Sequence, residues 1–250
     1  MISEAIISEE KNVGGIPLCK TGSYPLNSRN VANGLDLLAD INDGKIAAVF
    51  FDPQYRGVLD KMHYGNEGVG RGQGRCSLDQ MDEKTIKRFL QEIDRVLKMG
   101  GYLFLWVDKF HLGEGIKPWL EGTHFELKDI IVWDKGRIGM GRRARCKCEY
   151  LVILQKCNSR TTANWTDHSI PDVWMEVVKK NHPHSKPVDL QKRLIAATTQ
   201  EGDIVLDPAS GGYSVFMACQ AAGRDFLGCD IRFGEDQYGK SYEQVSLNFS

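Results

Sequence analysis

No stretch of the 250-residue chain is apolar for long enough to cross a bilayer, which takes about 20 residues. The first residues also lack the basic and apolar regions of a secretory signal peptide. No membrane partner is therefore expected, and a cytoplasmic location is. Cysteine is sparse. Its seven copies are odd in number and fall into no regular framework, which excludes a disulfide-stapled scaffold and fits a reducing compartment. Cys146, Cys148 and Cys157 lie near one another, but no fourth ligand stands at finger-like spacing, so no metal site is expected. Repeats and low-complexity tracts are absent. Neither sign of charge dominates: Lys and Arg total 32, Asp and Glu 33, for a net charge of -1. A protein coated in nucleic acid is excluded by that balance, and any contact with a polyanion must come from a local patch. What remains is ordinary for a folded globule, 42% hydrophobic and 26% charged residues. Length and composition fit a single α/β domain over residues 1–250, with an insertion.

The rest of the chain is organised around residues 46–55. Ile46, Ala47, Ala48, Val49, Phe50 and Phe51 carry no charge, as in a strand buried on both faces. Asp52 and Pro53 end the run, because proline cannot continue a central strand. Asp52 therefore falls at the carboxyl end of a buried strand, where open α/β sheets place their ligand crevices. With the Pro53 carbonyl and the Tyr55 ring it makes a set suited to an exocyclic amine on a nucleobase. Such an amine is a poor nucleophile, since its lone pair is delocalised into the ring. Two acceptors can take its two hydrogens while an aromatic stacks on the base. A strand that merely ends at a turn would carry the same Asp-Pro.

A second stretch, residues 203–230, reads as strand, acid, Gly-rich turn, helix and strand. Asp207, Pro208, Ala209, Ser210, Gly211 and Gly212 form the turn. Val215, Phe216, Cys219 and Ala222 share one helix face, and Gly223 stops the helix. The next strand ends in Asp230. This is a Rossmann-type βαβ unit. Its glycines let backbone approach a cofactor, and an acid about 20 residues on can take ribose hydroxyls.

Together these stretches resemble the S-adenosylmethionine-dependent amino-methyltransferases of DNA. The family's catalytic D-P-P-Y stands here as Asp52, Pro53, Gln54 and Tyr55. Its cofactor motif D-P-F-x-G-x-G-T stands as residues 207–214, and its H-P-T-Q-K-P-V as His182 to Val188. With the catalytic loop first and the cofactor loop last, the order is similar to the circularly permuted beta group. The resemblance implies a Rossmann-like fold, with a mostly parallel sheet, helices on both faces and an inserted DNA-recognition segment at residues 135–181. It implies S-adenosylmethionine as cofactor and double-stranded DNA as partner, and leaves the oligomeric state, a homodimer included, open. The cofactor residues would be Asn33, His182, Ser185, Lys186, Asp207, Pro208, Ala209, Ser210, Gly211 and Asp230. Asn33 would face the adenine and Lys186 the cofactor carboxylate. An aspartate at the head of the catalytic loop is typical of N6-adenine enzymes, so a restriction-modification adenine methyltransferase is expected. A cytosine N4 enzyme and a catalytically degenerate DNA-binding homologue are the alternatives. Gln54 replaces a proline, Ala209 a phenylalanine, and Tyr213 stands where glycine is usual.

The remaining chain is read from its own patterns. Residues 29–38 form a short strand turning into a helix. Residues 56–80 are glycine-rich and poor in apolar side chains, as in a functional or a disordered loop. The resemblance implies a loop that closes over the extruded base, and a merely disordered loop is the alternative. Helical spacing runs from Ile86 to Leu97 with Gly100 and Gly101 as its stop, and strands follow at 102–107, 130–133 and 150–154. Asp108 should end its strand in the cleft. Ser185 should cap a helix over 182–199 with Pro187 in its first turn. A closing helix is expected near Tyr238, Tyr242 and Val245. Lys135, Arg137, Arg142, Arg143, Arg145 and Lys147 make the one dense basic cluster. Its arginines would contact phosphates and a base edge, although a solvated hairpin would look the same.

Overall fold

A computed structural model describes residues 17–54, 81–139, 143–161, 164–178, 185–232 and 234. The expected loop at 56–80 and the closing helix near 238–245 lie outside these residues. In chain order the elements are β1 (Asn30–Val31), α1 (Gly34–Asp40), β2 (Ile46–Phe51), α2 (Glu83–Val96), β3 (Leu97–Val107) and α3 (Lys109–Glu114). Then follow β4 (Phe125–Asp134), β5 (Cys148–Lys156), β6 (Val173–Met175), α4 (Val188–Thr198), β7 (Ile204–Asp207), α5 (Ser214–Ala222) and β8 (Asp225–Asp230). The strands form one sheet in the order β1-β8-β7-β2-β3-β5-β4-β6. Every neighbouring pair is parallel except β3 with β5 and β5 with β4, so β5 alone runs against the rest.

All six residues of β2 are buried. Side chains alternate across a strand. Val49 and Phe51 join Leu37, Leu38, Phe89 and Leu90 of α1 and α2 on one face. Ala48 and Phe50 join Leu190, Leu194, Val215 and Phe216 of α4 and α5 on the other. The sheet thus has helices on both faces, as expected. Among the described residues no helix is long and apolar enough to cross a membrane.

Two local expectations need correction. Gly100 and Gly101 do not stop α2. Leu97 already turns extended and enters β3 directly, pairing with Ile46. The register then shifts so that Ala48 pairs with Tyr102, and Gly100, at φ 83°, lies in that irregularity. Leu97 is fully buried there. Likewise, Ser185 does not cap α4. The cap is Pro187, which has no side chain to offer, and α4 begins only at Val188. Proline disfavours helical backbone in the residue before it, so Lys186 stays outside the helix. The exposed first-turn N–H groups are met from elsewhere. Glu176 Oε1 accepts from Asp189 N at 3.2 Å and Oε2 from Leu190 N at 3.1 Å.

Those bonds tie residues 164–178 into the scaffold. Trp174 Nε1 donates to Glu176 Oε2 at 2.8 Å, and Asp167 pairs with Arg193 of α4 at 2.5 Å. Trp165 packs edge-on against Tyr102 of β3. Residues 164–178 of the expected recognition insert are therefore tied to the core assembly.

Tyr213 explains its own departure from glycine. It adopts φ 56° and ψ 36° just before α5, a left-handed conformation that costs a non-glycine residue about 1–3 kcal/mol. Its hydroxyl donates to Asn30 O at 2.8 Å, and its ring, 2% exposed, packs against Phe226. Losing a buried aromatic typically costs about 3–5 kcal/mol, more than the strain. Tyr213→Gly should therefore relax the backbone yet destabilise by about 2 kcal/mol net. Tyr213→Phe, which loses one hydrogen bond, should cost about 1 kcal/mol. Urea unfolding midpoints decide: a glycine variant as stable as the phenylalanine one would show that the ring does not hold this turn.

Candidate active site

Parallel strands deliver their carboxyl ends to one edge of the sheet. Asp52 follows β2, Asp207 ends β7 and Asp230 ends β8. Because β5 is reversed, it brings its beginning to that same edge, with Glu149 opposite Trp133 near the end of β4. A cavity of about 280 Å³ opens there, lined among others by Asn33, Asp52, Gln54, Trp106, Lys186 and Asp207. Asp108 does not line it. Its carboxylate caps α3 instead, accepting from the N–H groups of Phe110 and His111 at 2.9 Å each.

At one end of the cavity stands the catalytic-loop sequence. Pro53 is buried. Gln54 stands in place of a second proline, and its backbone carbonyl accepts from Met81 N at 2.7 Å. The Asp52 carboxylate meets Lys186 Nζ at 2.8 Å. The same ammonium lies 2.8 Å from Glu149 Oε2 and 4.8 Å from the centre of the Trp106 ring. Glu149 also pairs with Lys135 at 3.1 Å. Burial by itself would lower the pKa of Lys186. The Asp52 and Glu149 carboxylates outweigh it and raise that pKa, so the ammonium stays charged. Glu149 is pushed the opposite way: burial opposes its charge, yet Lys186 and Lys135 hold its carboxyl down at about 2.

At the other end stands the Gly-rich turn. Asp207 Oδ1 accepts from Ala209 N at 3.1 Å, and Ser210 Oγ donates to Asp207 O at 2.8 Å. Asp230 receives Gly211 N at 3.1 Å and Arg232 N at 2.8 Å, which fixes both carboxylate oxygens across the turn. Gly228 is needed for this closeness: a Cβ there would sit 2.6 Å from Asp207 O and 2.7 Å from Ser210 Oγ. Asp207 is 6% exposed, and burial pushes its carboxyl up to about 8, with Asp52 and Asp230 adding repulsion. Two further lining groups are buried with no hydrogen-bond partner among the described residues, the Trp106 indole N–H and the Gln191 side-chain oxygen. A buried acid with a raised pKa and, among the described residues, an orphan donor and an orphan acceptor fit a polar, positively charged ligand.

The structure thus brings Asp52, Gln54, Asn33, Lys186, Asp207, Pro208, Ala209, Ser210, Gly211 and Asp230 to one cavity. Asn33 also serves as N-cap of α1, its side chain accepting from Leu35 N at 2.9 Å. Lys186 is engaged by Asp52 and Glu149. Tyr55, His182 and Arg142 lie outside the described residues. Of the basic cluster, Lys135 and Lys147 are taken up at the hairpin base by Glu149 and Asp134. Arg137, Arg143 and Arg145 are exposed on the hairpin. Sequence reasoning missed Glu149, Trp106 and Gln191. Their only signal was a lone acid leading into an apolar run, an indole inside one, and an amide on a buried helix face. Among the described residues no cluster of metal-ligating side chains exists.

Comparison with known proteins gives a consistent result. A family model described as DNA methylase matches residues 46–237. The chain is 56% identical over 214 residues to the Type II methyltransferase M.HhaII of Haemophilus parahaemolyticus, covering 85% of this chain and 94% of that protein. Among solved structures, it superposes on the M1.HpyAVI–SAM complex with a TM-score of 0.57 at 19% identity, covering 88% of this chain and 97% of the other. It also superposes on the cytosine-N4-specific PvuII DNA methyltransferase with a TM-score of 0.60 at 13% identity, covering 81% of each chain.

The raised Asp207 has a measurable consequence. An acid whose folded pKa lies above its unfolded value binds its proton more tightly when folded, so it withdraws stability as pH rises from about 4 to about 8. Asp207→Asn mimics the protonated form. In urea unfolding of the ligand-free protein, it should raise the midpoint at pH 8.5 and change it little at pH 5. An equal shift at both pH values would refute the raised pKa.

Proposed function

Since the chain belongs to the N6/N4 DNA methylase family, we propose that it methylates the exocyclic N6 of adenine in double-stranded DNA, with S-adenosylmethionine as donor. The observation that carries this reading is the placement of Asp52 at the end of β2, in the same cavity as the Asp207 turn. An aspartate heading the catalytic loop favours adenine over cytosine by resemblance to the N6 enzymes.

The target amine is unreachable inside the stack, so the base must be extruded into the cavity mouth. There the Asp52 carboxylate and the Pro53 carbonyl accept the two amino hydrogens and turn the nitrogen lone pair out of conjugation. Tyr55 is assigned to stack on the ring. The cofactor, when bound, supplies a methyl group on a positively charged sulfonium. Asp207 offers negative charge to the cofactor's cationic end, and Asp230 accepts from ribose hydroxyls, already fixed by Gly211 N–H and Arg232 N–H. Asn33, Pro208, Ala209, Ser210 and Gly211 shape the adenosine side of the cavity. Such catalysis is mostly positioning in a preorganised polar site. The exposed arginines of the β4–β5 hairpin would hold phosphates, and one of them a base edge. A role within restriction-modification follows the same resemblance.

Asp52→Ala should abolish methyl incorporation into DNA while leaving cofactor affinity within a few-fold. Mass spectrometry of digested product DNA should show N6-methyladenine. N4-methylcytosine as the sole product would overturn the adenine assignment, and a folded, active Asp52→Ala protein would sink the mechanism.

DNA holding is tested separately. Replacing Arg137, Arg143 and Arg145 together with alanine should weaken DNA binding and lower the salt slope by roughly 1 for each phosphate no longer neutralised. Cofactor affinity should not change. A salt titration indistinguishable from that of the native protein would make the hairpin a solvated surface.

A further inference from the structure

By resemblance Lys186 would meet the cofactor carboxylate, but its ammonium is already occupied. It sits 2.8 Å from Asp52 Oδ2 and 2.8 Å from Glu149 Oε2, over the face of Trp106, with its side chain 12% exposed. An ammonium has three hydrogens to donate. Here two point to carboxylates and the alkyl stem leaves little room to swing. Glu149 is fixed in turn. It lies near the start of β5, opposite Trp133, and its other oxygen holds Lys135 at 3.1 Å. The result is a chain of alternating charges, Lys135–Glu149–Lys186–Asp52, running from the base of the hairpin to the carboxylate at the end of β2.

We infer that Lys186 and Glu149 are positioning residues for Asp52, with Glu149 anchoring Lys186 and Lys186 fixing the rotamer of the carboxylate that receives the target amine. The inference rests on the assignment of Asp52 to the amine. Asp52 follows a strand end and precedes a loop, so nothing in its own backbone fixes its side chain in one orientation. A carboxylate that must accept a hydrogen from one amine needs one oxygen aimed at it. Tethering Oδ2 to Lys186 leaves Oδ1 to do this. Binding energy from cofactor and DNA then need not order Asp52. Glu149 is required because a lysine with one partner would still pivot on its flexible stem, whereas two carboxylates and an indole face define its position. With two of its hydrogens on carboxylates and an indole face beside it, the ammonium is assigned to Asp52 and not to the cofactor carboxylate.

The two roles for Lys186 predict different kinetics. A group that positions the acceptor acts on kcat; a group that holds the cofactor acts on its affinity. The test measures methyl incorporation from radiolabelled S-adenosylmethionine into unmethylated DNA, and cofactor Kd by calorimetry, for the native protein, Lys186→Gln, Lys186→Arg and Glu149→Gln. Lys186→Gln should lower kcat at saturating cofactor by on the order of 10²-fold, the cost of a small misplacement of a reacting group, with Kd within about 3-fold. Glu149→Gln should lower kcat by about 10-fold or more in the same way, again sparing Kd. Lys186→Arg, which keeps the charge, should recover part of the loss. If Lys186→Gln does not fold, the Glu149→Gln result decides alone. A cofactor Kd weakened about 10-fold in Lys186→Gln, with kcat retained at saturation, would overturn the inference and restore the carboxylate role. Native kcat in Glu149→Gln would overturn it too. Absence of methyl transfer by the native protein would overturn the underlying methyltransferase reading and this inference with it, whereas an active native protein with unaffected variants overturns only the inference.

Discussion

Parallel pairing of β2 with β3 on one side and β7 on the other is the constraint from which the site follows. Ala48 pairs with both Tyr102 and Val205, and Val49 with both Leu103 and Leu206. A strand so enclosed has its backbone groups met by two neighbours and its side chains covered on both faces, so charge can appear only where the strand stops. Parallel strands all stop on the same side. Asp52, Asp207 and Asp230 are brought together by this geometry and not by any contact among themselves. The single reversed strand completes the set, since its start lies where the others end and places Glu149 beside them.

Electrostatics then divides the cavity into two halves. On the catalytic side the Asp52 and Glu149 carboxylates share Lys186, and the local charge is largely balanced. On the cofactor side Asp207 and Asp230 stand close together, held by backbone N–H groups, and the repulsion adds to the burial that raises Asp207. A cationic ligand in this turn would favour the ionised form of Asp207, so a sulfonium-bearing cofactor and the Asp207 carboxylate would stabilise each other. The exposed arginines of the β4–β5 hairpin, Arg137, Arg143 and Arg145, do not line this cavity. A net charge near zero for the whole chain is compatible with both halves because each charge acts over a Debye length of about 8 Å, not over the molecule.

The departures from the family's motifs show how a fold absorbs substitution. Gln54 lacks the rigidity of proline, and its carbonyl, as a proline's could, accepts from Met81 N. Tyr213 takes a backbone conformation suited to glycine, and the burial of its ring against Phe226 with a hydrogen bond to Asn30 offsets the strain. The bond to Asn30 comes from far away in the chain, and inspection of the motif alone would not find it.

What the sequence determined by itself is what neighbouring residues decide among themselves. A six-residue apolar run closed by Asp-Pro reads as a buried strand, as it is, and the strand–turn–helix–strand of 203–230 followed from apolar spacing and Gly223. Those local rules placed Asp52, Asp207 and Asp230 at strand ends, and a parallel sheet made the ends coincide. The sequence pattern failed where a residue's role is set by partners distant along the chain. Leu97 enters the sheet because Ile46 awaits it, and α4 is capped by Glu176 and not by Ser185. Only the tertiary structure decided that Lys186 serves Asp52 and Glu149, because an ion pair depends on distance in space. Three residues from separate parts of the chain carry no mutual signal until β2, β5 and the entry to α4 are packed at one edge.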